Sequence, residues 1–184
     1  LRIKWEKRSS LAALEIEVHE LDVEGVILEQ AGGRVSMVEV EHQPVEPAFG
    51  FIFESAGHKL VVSGDTKYCE NLVEAARDAD VLVHEVFDHG SMAITGTRTE
   101  QGLANVAAYH TASTDVGRVA RQARVGCLVL THIVPPDADR SNLLAQARAE
   151  YAGPVIVGED LMAIDVITGT VQWGDVNFSL PVRS

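Results

Sequence analysis

Lys59-Leu60-Val61-Val62-Ser63-Gly64-Asp65-Thr66 is the stretch that decides the fold, because in it a short apolar strand runs directly into a turn that carries a carboxylate. His42 lies upstream of this turn and His132 lies downstream. A carboxylate bridges two cations, whereas a neutral imidazole holds one, so an Asp between two His suits a dinuclear metal centre. The order of these three side chains therefore predicts half of a metal site.

Each of these residues also has a plain structural interpretation. Gly-Asp-Thr is an ordinary turn sequence, in which Asp tolerates the left-handed conformation and caps the helix that follows. A single His after a strand is more often a hydrogen-bonded loop residue than a metal ligand. Only the combination of several such residues favours a shared site.

Upstream of Asp65 the pattern predicts strands alone. Leu14, Ile16 and Val18 alternate with polar residues, which is the period of a strand with one wet face. Further strands are predicted over residues 35–40, 49–53 and 59–62, with turns at Gly32-Gly33 and Ala56-Gly57. The first 65 residues therefore read as a strand meander.

Downstream of Asp65 helices alternate with short apolar strands, which is typical of an α/β layer. The helices are predicted over residues 70–78, 100–108, 114–124 and 142–151, with Ser113 as the N-cap of the third. Strands are predicted over residues 81–83, 127–130 and 155–157, followed by a hairpin of residues 161–167 and 170–173. The fold class is thus α/β, a strand meander followed by alternating helices and strands.

Polar residues follow the predicted strands at five places: His42, Asp65, His84 with Glu85, His132, and Glu159 with Asp160. Ligands bind layered α/β folds at the carboxyl ends of strands, where the loops converge. The recurrence predicts one shared edge that carries a site.

Composition limits the classes of protein and partner. A chain of 184 residues with 46% hydrophobic content fits one soluble domain. Fifteen Lys and Arg against 27 Asp and Glu give a net charge of −12, which repels polyphosphates and disfavours long nucleic acid as a partner. Cys69 and Cys127 lack zinc-finger spacing and predict no disulfide framework.

No apolar run approaches the roughly 20 residues that span a bilayer, so no membrane partner is expected. The chain opens on Leu1 rather than Met, so the sequence does not decide secretion, and a cytoplasmic location is the expectation. Trp173, Phe178 and Leu180 either pack at the interface of a homo-oligomer or complete the core, and both interpretations stay open.

Taken together, the motifs resemble the metallo-β-lactamase-fold hydrolases, in the branch of ribonuclease Z and the arylsulfatase-like phosphodiesterases. The resemblance covers about residues 14–166 and rests on motifs in this order: Glu41-His42-Gln43-Pro44, Ala48-Phe49-Gly50-Phe51, Ser63-Gly64-Asp65-Thr66, Leu82-Val83-His84-Glu85, Tyr109-His110-Thr111 and Leu130-Thr131-His132. It implies part of an αββα sandwich.

The resemblance implies two zinc ions bridged by Asp65, with one held by His42 and the other by His132. Iron and manganese accept the same ligands. The remaining ligands in that family come from a His-x-His-x-Asp-His loop, and this sequence contains no His-x-His. We therefore expect residues 1–184 to form a single metallo-β-lactamase-like domain without its N-terminal half.

Two further residues receive catalytic roles from the resemblance. It implies that His110 contacts the substrate oxyanion or protonates the leaving oxygen. Glu85 is predicted to hold His110 in the useful tautomer, which is a task suited to a carboxylate. The structural alternative for His110 is a helix C-terminal His favoured by the helix dipole.

The expected function is dinuclear zinc-dependent hydrolysis of phosphodiester or sulfate-ester bonds in small anionic substrates. The resemblance to ribonuclease Z implies a long tRNA-binding arm between the metal His and the Gly-Asp-Thr turn, but only strands and a short turn separate His42 from Asp65. Two alternatives remain. One is tRNA 3′ processing of the ribonuclease Z type, and the other is a metal-free scaffold or binding module, because three ligands are too few for two zinc ions.

Overall fold

The computed structural model describes residues 18–92 and 99–181. The predicted strand at residues 14–18 lies outside the described residues except for Val18, which has no regular structure. The meander predicted after it is confirmed, with strands β2 (Gly33–Val40), β3 (Ala48–Ser55) and β4 (His58–Val62) paired antiparallel in sequence order. An additional strand, β1 (Gly25–Gln30), pairs with β2.

The alternating half is also confirmed, with shifted boundaries. Helix α1 (Glu70–Ala75) leads to strand β5 (Val81–Phe87), and helices α2 (Glu100–Ala107) and α3 (Val116–Ala123) lead to β6 (Cys127–Val134). Helix α4 (Arg140–Glu150) then leads to β7 (Val155–Val157). Strands β4 to β7 pair in parallel, so one seven-stranded sheet runs from β1 to β7 in sequence order.

Three short strands near the end of the described residues form a second, smaller sheet. Strand β8 (Ala163–Asp165) pairs antiparallel with β9 (Thr170–Trp173), which confirms the predicted hairpin, and β10 (Val176–Ser179) adds a strand that was not predicted. Leu180 packs against the core, whereas Trp173 and Phe178 remain exposed. No helix among the described residues is long and apolar enough to span a membrane.

The two faces of the large sheet are covered by different layers. Leu82 and Leu128 belong to a core shared with the helices, while their neighbours Val81 and Cys127 pack against Ile164 and the segment that follows β8. This alternation is what a strand buried on both faces requires. The parallel strands therefore form a rigid centre for the loops at their carboxyl ends.

Two local predictions were wrong. Ser113 does not cap α3, because Asp115 occupies the N-cap position and the Ser113 hydroxyl contacts Gln146 instead. His84, Glu85 and His132 do not follow their strands but lie within them, because β5 continues to Phe87 and β6 to Val134 in mutual register. The apolar runs end earlier than the hydrogen-bonded ladder does.

Candidate metal centre

The Gly-Asp-Thr turn depends on the close approach of two strands. Gly64 has φ of +63°, and a Cβ atom at this position would lie 2.3 Å from the carbonyl oxygen of Phe49. Ser63 donates its backbone N–H to Val83, which ties the turn to β5. Only glycine fits this conformation and this space, so the turn projects Asp65 from a fixed point. Asp65 does not cap a helix, because α1 begins after Cys69.

Thr66 joins this turn to the loop that carries His42. Its buried hydroxyl accepts a hydrogen bond from the backbone N–H of Glu41 at 3.1 Å. The carbonyl oxygen of Thr66 accepts the hydroxyl of Thr111 at 2.7 Å. Three segments that are distant in sequence are thereby held at one point, next to Asp65.

His132 occupies a β-bulge. Glu85 pairs with Thr131 and Val86 pairs with Ile133, so His132 is the extra residue in β6. Its φ of +40° places it in the left-handed region, where non-glycine residues are uncommon. A bulge redirects one side chain without ending the strand, and here it brings Nδ1 of His132 to 3.5 Å from Oδ1 of Asp65.

Glu85 and His110 form a buried pair. Oε1 of Glu85 lies 3.1 Å from Nδ1 of His110 and also accepts the backbone N–H groups of Thr111 and Thr66. The side chains are 1% and 7% exposed, respectively. The contact predicted between them is present, and the carboxylate fixes both the imidazole and the two loops around it.

The His110 ring lies at the centre of the cluster. Its centroid is 5.4 Å from that of His42 and 5.6 Å from that of His132. Burial opposes the charged imidazole, but the hydrogen bond and charge of Glu85 outweigh burial and raise the pKa of His110, with Asp65 acting in the same direction. All five predicted site residues are thus brought together.

The donor set fits a divalent metal ion. Glu85, His110 and His132 each offer a ligand atom, and these atoms lie within 4.8 Å of one another. Oε2 of Glu85 is buried and has no hydrogen-bond partner among the described residues, which suits an oxygen that faces a cation. Imidazole and carboxylate groups are ligands that zinc accepts. Of the predicted ligands His42, Asp65 and His132, this group of described residues contains His132 alone, and Oδ1 of Asp65 lies 3.5 Å from Nδ1 of His132.

The remaining polar residues of the predicted shared edge make other contacts. Glu159 and Asp160 are exposed, and Glu159 lies 3.9 Å from Nε of Arg140. His84 is fully buried and contacts the carbonyl oxygen of Glu85 through Nδ1 at 2.7 Å. Burial lowers the pKa of His84, which keeps the imidazole neutral. None of these residues was predicted as a ligand or catalytic group.

Sequence reasoning missed the residues that assemble the site. Thr66 and Thr111 connect the loops, although both stand in the motifs quoted above beside Asp65 and His110. Tyr109 contacts the rings of both His42 and His110 at 4.9 Å between centroids. Its position next to His110 in the sequence is the signal by which Tyr109 could have been predicted as part of the site.

Comparison with known proteins places this geometry in a family. The family described as beta-lactamase superfamily domain matches residues 4–133. A protein of Mycobacterium tuberculosis (strain CDC 1551 / Oshkosh) named "Putative ribonuclease Z" is 34% identical over 153 residues, covering 82% of this chain and 66% of that protein. The chain spans between about half and two thirds of the length of the curated relatives that it matches.

Solved structures share the fold at lower identity. The metallo-β-lactamase fold protein YhfI from Bacillus subtilis superposes with a TM-score of 0.59 at 22% identity, over 77% of this chain and 52% of that one. The short form of human tRNase Z superposes with a TM-score of 0.51 at 18% identity, over 86% of this chain and 46% of that one. The chain therefore belongs to the beta-lactamase superfamily of metallo-β-lactamase-fold hydrolases and is related to proteins named ribonuclease Z.

Proposed function

We propose that this domain serves a metal-dependent phosphodiester hydrolase of the ribonuclease Z type. The observation that carries the proposal is the contact of Asp65 with His132 beside the buried Glu85–His110 pair. The relatives named ribonuclease Z support the choice of bond, because they are 34% to 35% identical to this chain over 153 to 156 aligned residues.

His42, Asp65 and His132 are the proposed metal ligands. A pair of bound cations supplies an activated water at neutral pH and stabilises charge that develops on the substrate. Each zinc ion takes about four ligands, so these three side chains require further ligands from other residues. Zinc is the expected metal, and iron and manganese accept the same groups.

His110 is proposed to protonate the leaving oxygen. Its Nδ1 contacts the buried carboxylate of Glu85, which favours the protonated imidazole that a general acid requires. Because Nδ1 contacts Glu85, the other ring nitrogen, Nε2, remains for the substrate. Such proton transfer contributes roughly a hundred- to ten-thousand-fold in rate.

A small anionic ester is the second candidate substrate. The net charge of −12 disfavours a long polyphosphate. The segment between His42 and Asp65 consists of a short loop, β3, a turn and β4, which leaves no inserted arm there for tRNA. Sulfate esters and phosphodiesters of small alcohols remain within this proposal.

The test uses the full gene product with zinc and three substrates: precursor tRNA with a 3′ trailer, bis(p-nitrophenyl) phosphate and p-nitrophenyl sulfate. Zinc-dependent cleavage of the precursor tRNA at its 3′ end supports the first candidate. Turnover of the aryl esters alone supports the second. A protein that binds no zinc and cleaves none of the three is a scaffold, and both candidates then fail.

A further inference from the structure

Tyr109, His42 and His110 form a cluster of three mutually contacting rings. The Tyr109 ring meets His42 edge to face, with 4.9 Å between centroids and 68° between planes. It meets His110 at the same centroid distance with a 55° tilt. The two imidazoles are 5.4 Å apart. Offset and edge-to-face geometries of this kind are favourable for aromatic rings.

The His42 side chain has little other support. It belongs to the loop between β2 and β3, where its carbonyl oxygen accepts the backbone N–H of Val45. In the part of the chain that the structure describes, the imidazole makes no hydrogen bond. Ring contacts with Tyr109 and His110 are therefore what fixes its orientation before a metal ion binds.

Tyr109 is itself well anchored. It follows α2, and its backbone N–H donates to the carbonyl oxygen of Val106 at 3.3 Å. The next residue, His110, is held by Glu85. The half-buried Tyr109 ring is thus carried on a segment that the buried carboxylate fixes.

We infer that Tyr109 is a positioning residue that orients the His42 imidazole for metal binding. The inference rests on the proposed function in so far as His42 is a metal ligand. The ring and not the phenol oxygen carries the role, because among the described residues the Tyr109 hydroxyl makes no hydrogen bond. Residues that orient a metal ligand typically change metal affinity by about 10- to 100-fold when they are removed.

The first test measures the zinc affinity of the full gene product by competition with a chromophoric chelator. Tyr109→Leu is expected to weaken zinc binding by about tenfold, and Tyr109→Phe is expected to retain it within about twofold, because only the ring is needed. In the His42→Ala background Tyr109→Leu is expected to have no effect, because the group that it orients is gone. Equal losses with and without His42 would overturn the inference.

A second readout needs no metal. In the metal-free chain, nuclear Overhauser contacts between the ring protons of His42 and His110 are expected in the wild type and in Tyr109→Phe but not in Tyr109→Leu. Their survival in a folded Tyr109→Leu variant would overturn the inference. If the expected pattern appears while the full gene product hydrolyses no ester, the inference stands and the proposed function fails.

Discussion

Oε1 of Glu85 lies 3.1 Å from Nδ1 of His110, and both side chains are almost fully buried. The same oxygen accepts the backbone N–H groups of Thr66 and Thr111, which belong to the Gly-Asp-Thr turn and to the His110 segment. One carboxylate therefore orients an imidazole and joins the two loops that border the candidate metal centre. Its removal has consequences for both charge and structure.

Glu85→Gln is expected to lower the pKa of His110, because burial then acts without the opposing carboxylate. A raised folded-state pKa stabilises the protein fully below the unfolded value of 6.5 and loses its effect as pH rises through the folded pKa. The deficit in unfolding free energy of metal-free Glu85→Gln is thus expected to be larger at pH 6 than at pH 9. Denaturant unfolding with EDTA measures it, and a deficit that does not vary with pH contradicts the prediction.

Gly64→Ala is expected to destabilise the fold and displace Asp65. The new methyl group meets the carbonyl oxygen of Phe49 at 2.3 Å, in addition to the strain of φ +63°. Gly57→Ala is the matched control, because Gly57 has φ of +81° and nothing within 4 Å of its Cβ position. Backbone strain is expected to lower the free energy of unfolding of the control by about 1 kcal/mol. The loss in Gly64→Ala is expected to be clearly larger. Equal losses in thermal unfolding would refute the close approach as the cause.

Thr111→Val is expected to lower the free energy of unfolding by about 1–3 kcal/mol, because it removes the buried hydroxyl that donates to the carbonyl oxygen of Thr66. Thr168→Val is the control, since its hydroxyl contacts Thr170 on the exposed hairpin. A change of about 0.5 kcal/mol or less is expected there. Denaturant titration compares the two, and a loss no greater in Thr111→Val than in the control argues against the proposed connection.

Cys69 and Cys127 are expected to be unreactive in the folded chain. Both are buried, and burial raises the pKa of the Cys127 thiol to about 12, so almost no thiolate is present near neutral pH. Titration with Ellman's reagent is expected to find no reactive thiol in native buffer and both thiols in denaturant. Rapid native labelling of either thiol would show that its burial is incomplete in solution.

The periodicity of the sequence predicts most of the elements but not the ends of β5 and β6. Apolar patterning reports burial, and it stops at Val83 and Leu130 because polar His84, Glu85 and Thr131 follow. The backbone ladder continues past these residues, since they are paired strand to strand. Strand β1 has little buried surface and therefore gives no alternating pattern.

The sequence likewise predicts only part of the candidate site. The residue types and their order identify Asp65, Glu85 and His110, because each stands in a short motif. The bulge at His132 leaves no periodic trace, since one extra residue in a ladder depends on its partner strand. Tyr109 reaches His42 only because the segment after α2 approaches the β2–β3 loop in the folded chain, which local sequence does not specify.

Zinc retention by the Asp65→Ala variant of the full gene product tests the metal centre most directly. Asp22→Ala serves as the control, because Asp22 is an exposed carboxylate in an irregular segment. After exhaustive dialysis, the wild type and Asp22→Ala are expected to retain zinc, and Asp65→Ala is expected to lose most of it, because the carboxylate beside His132 is gone. Zinc content in Asp65→Ala equal to that of the wild type would contradict the assignment.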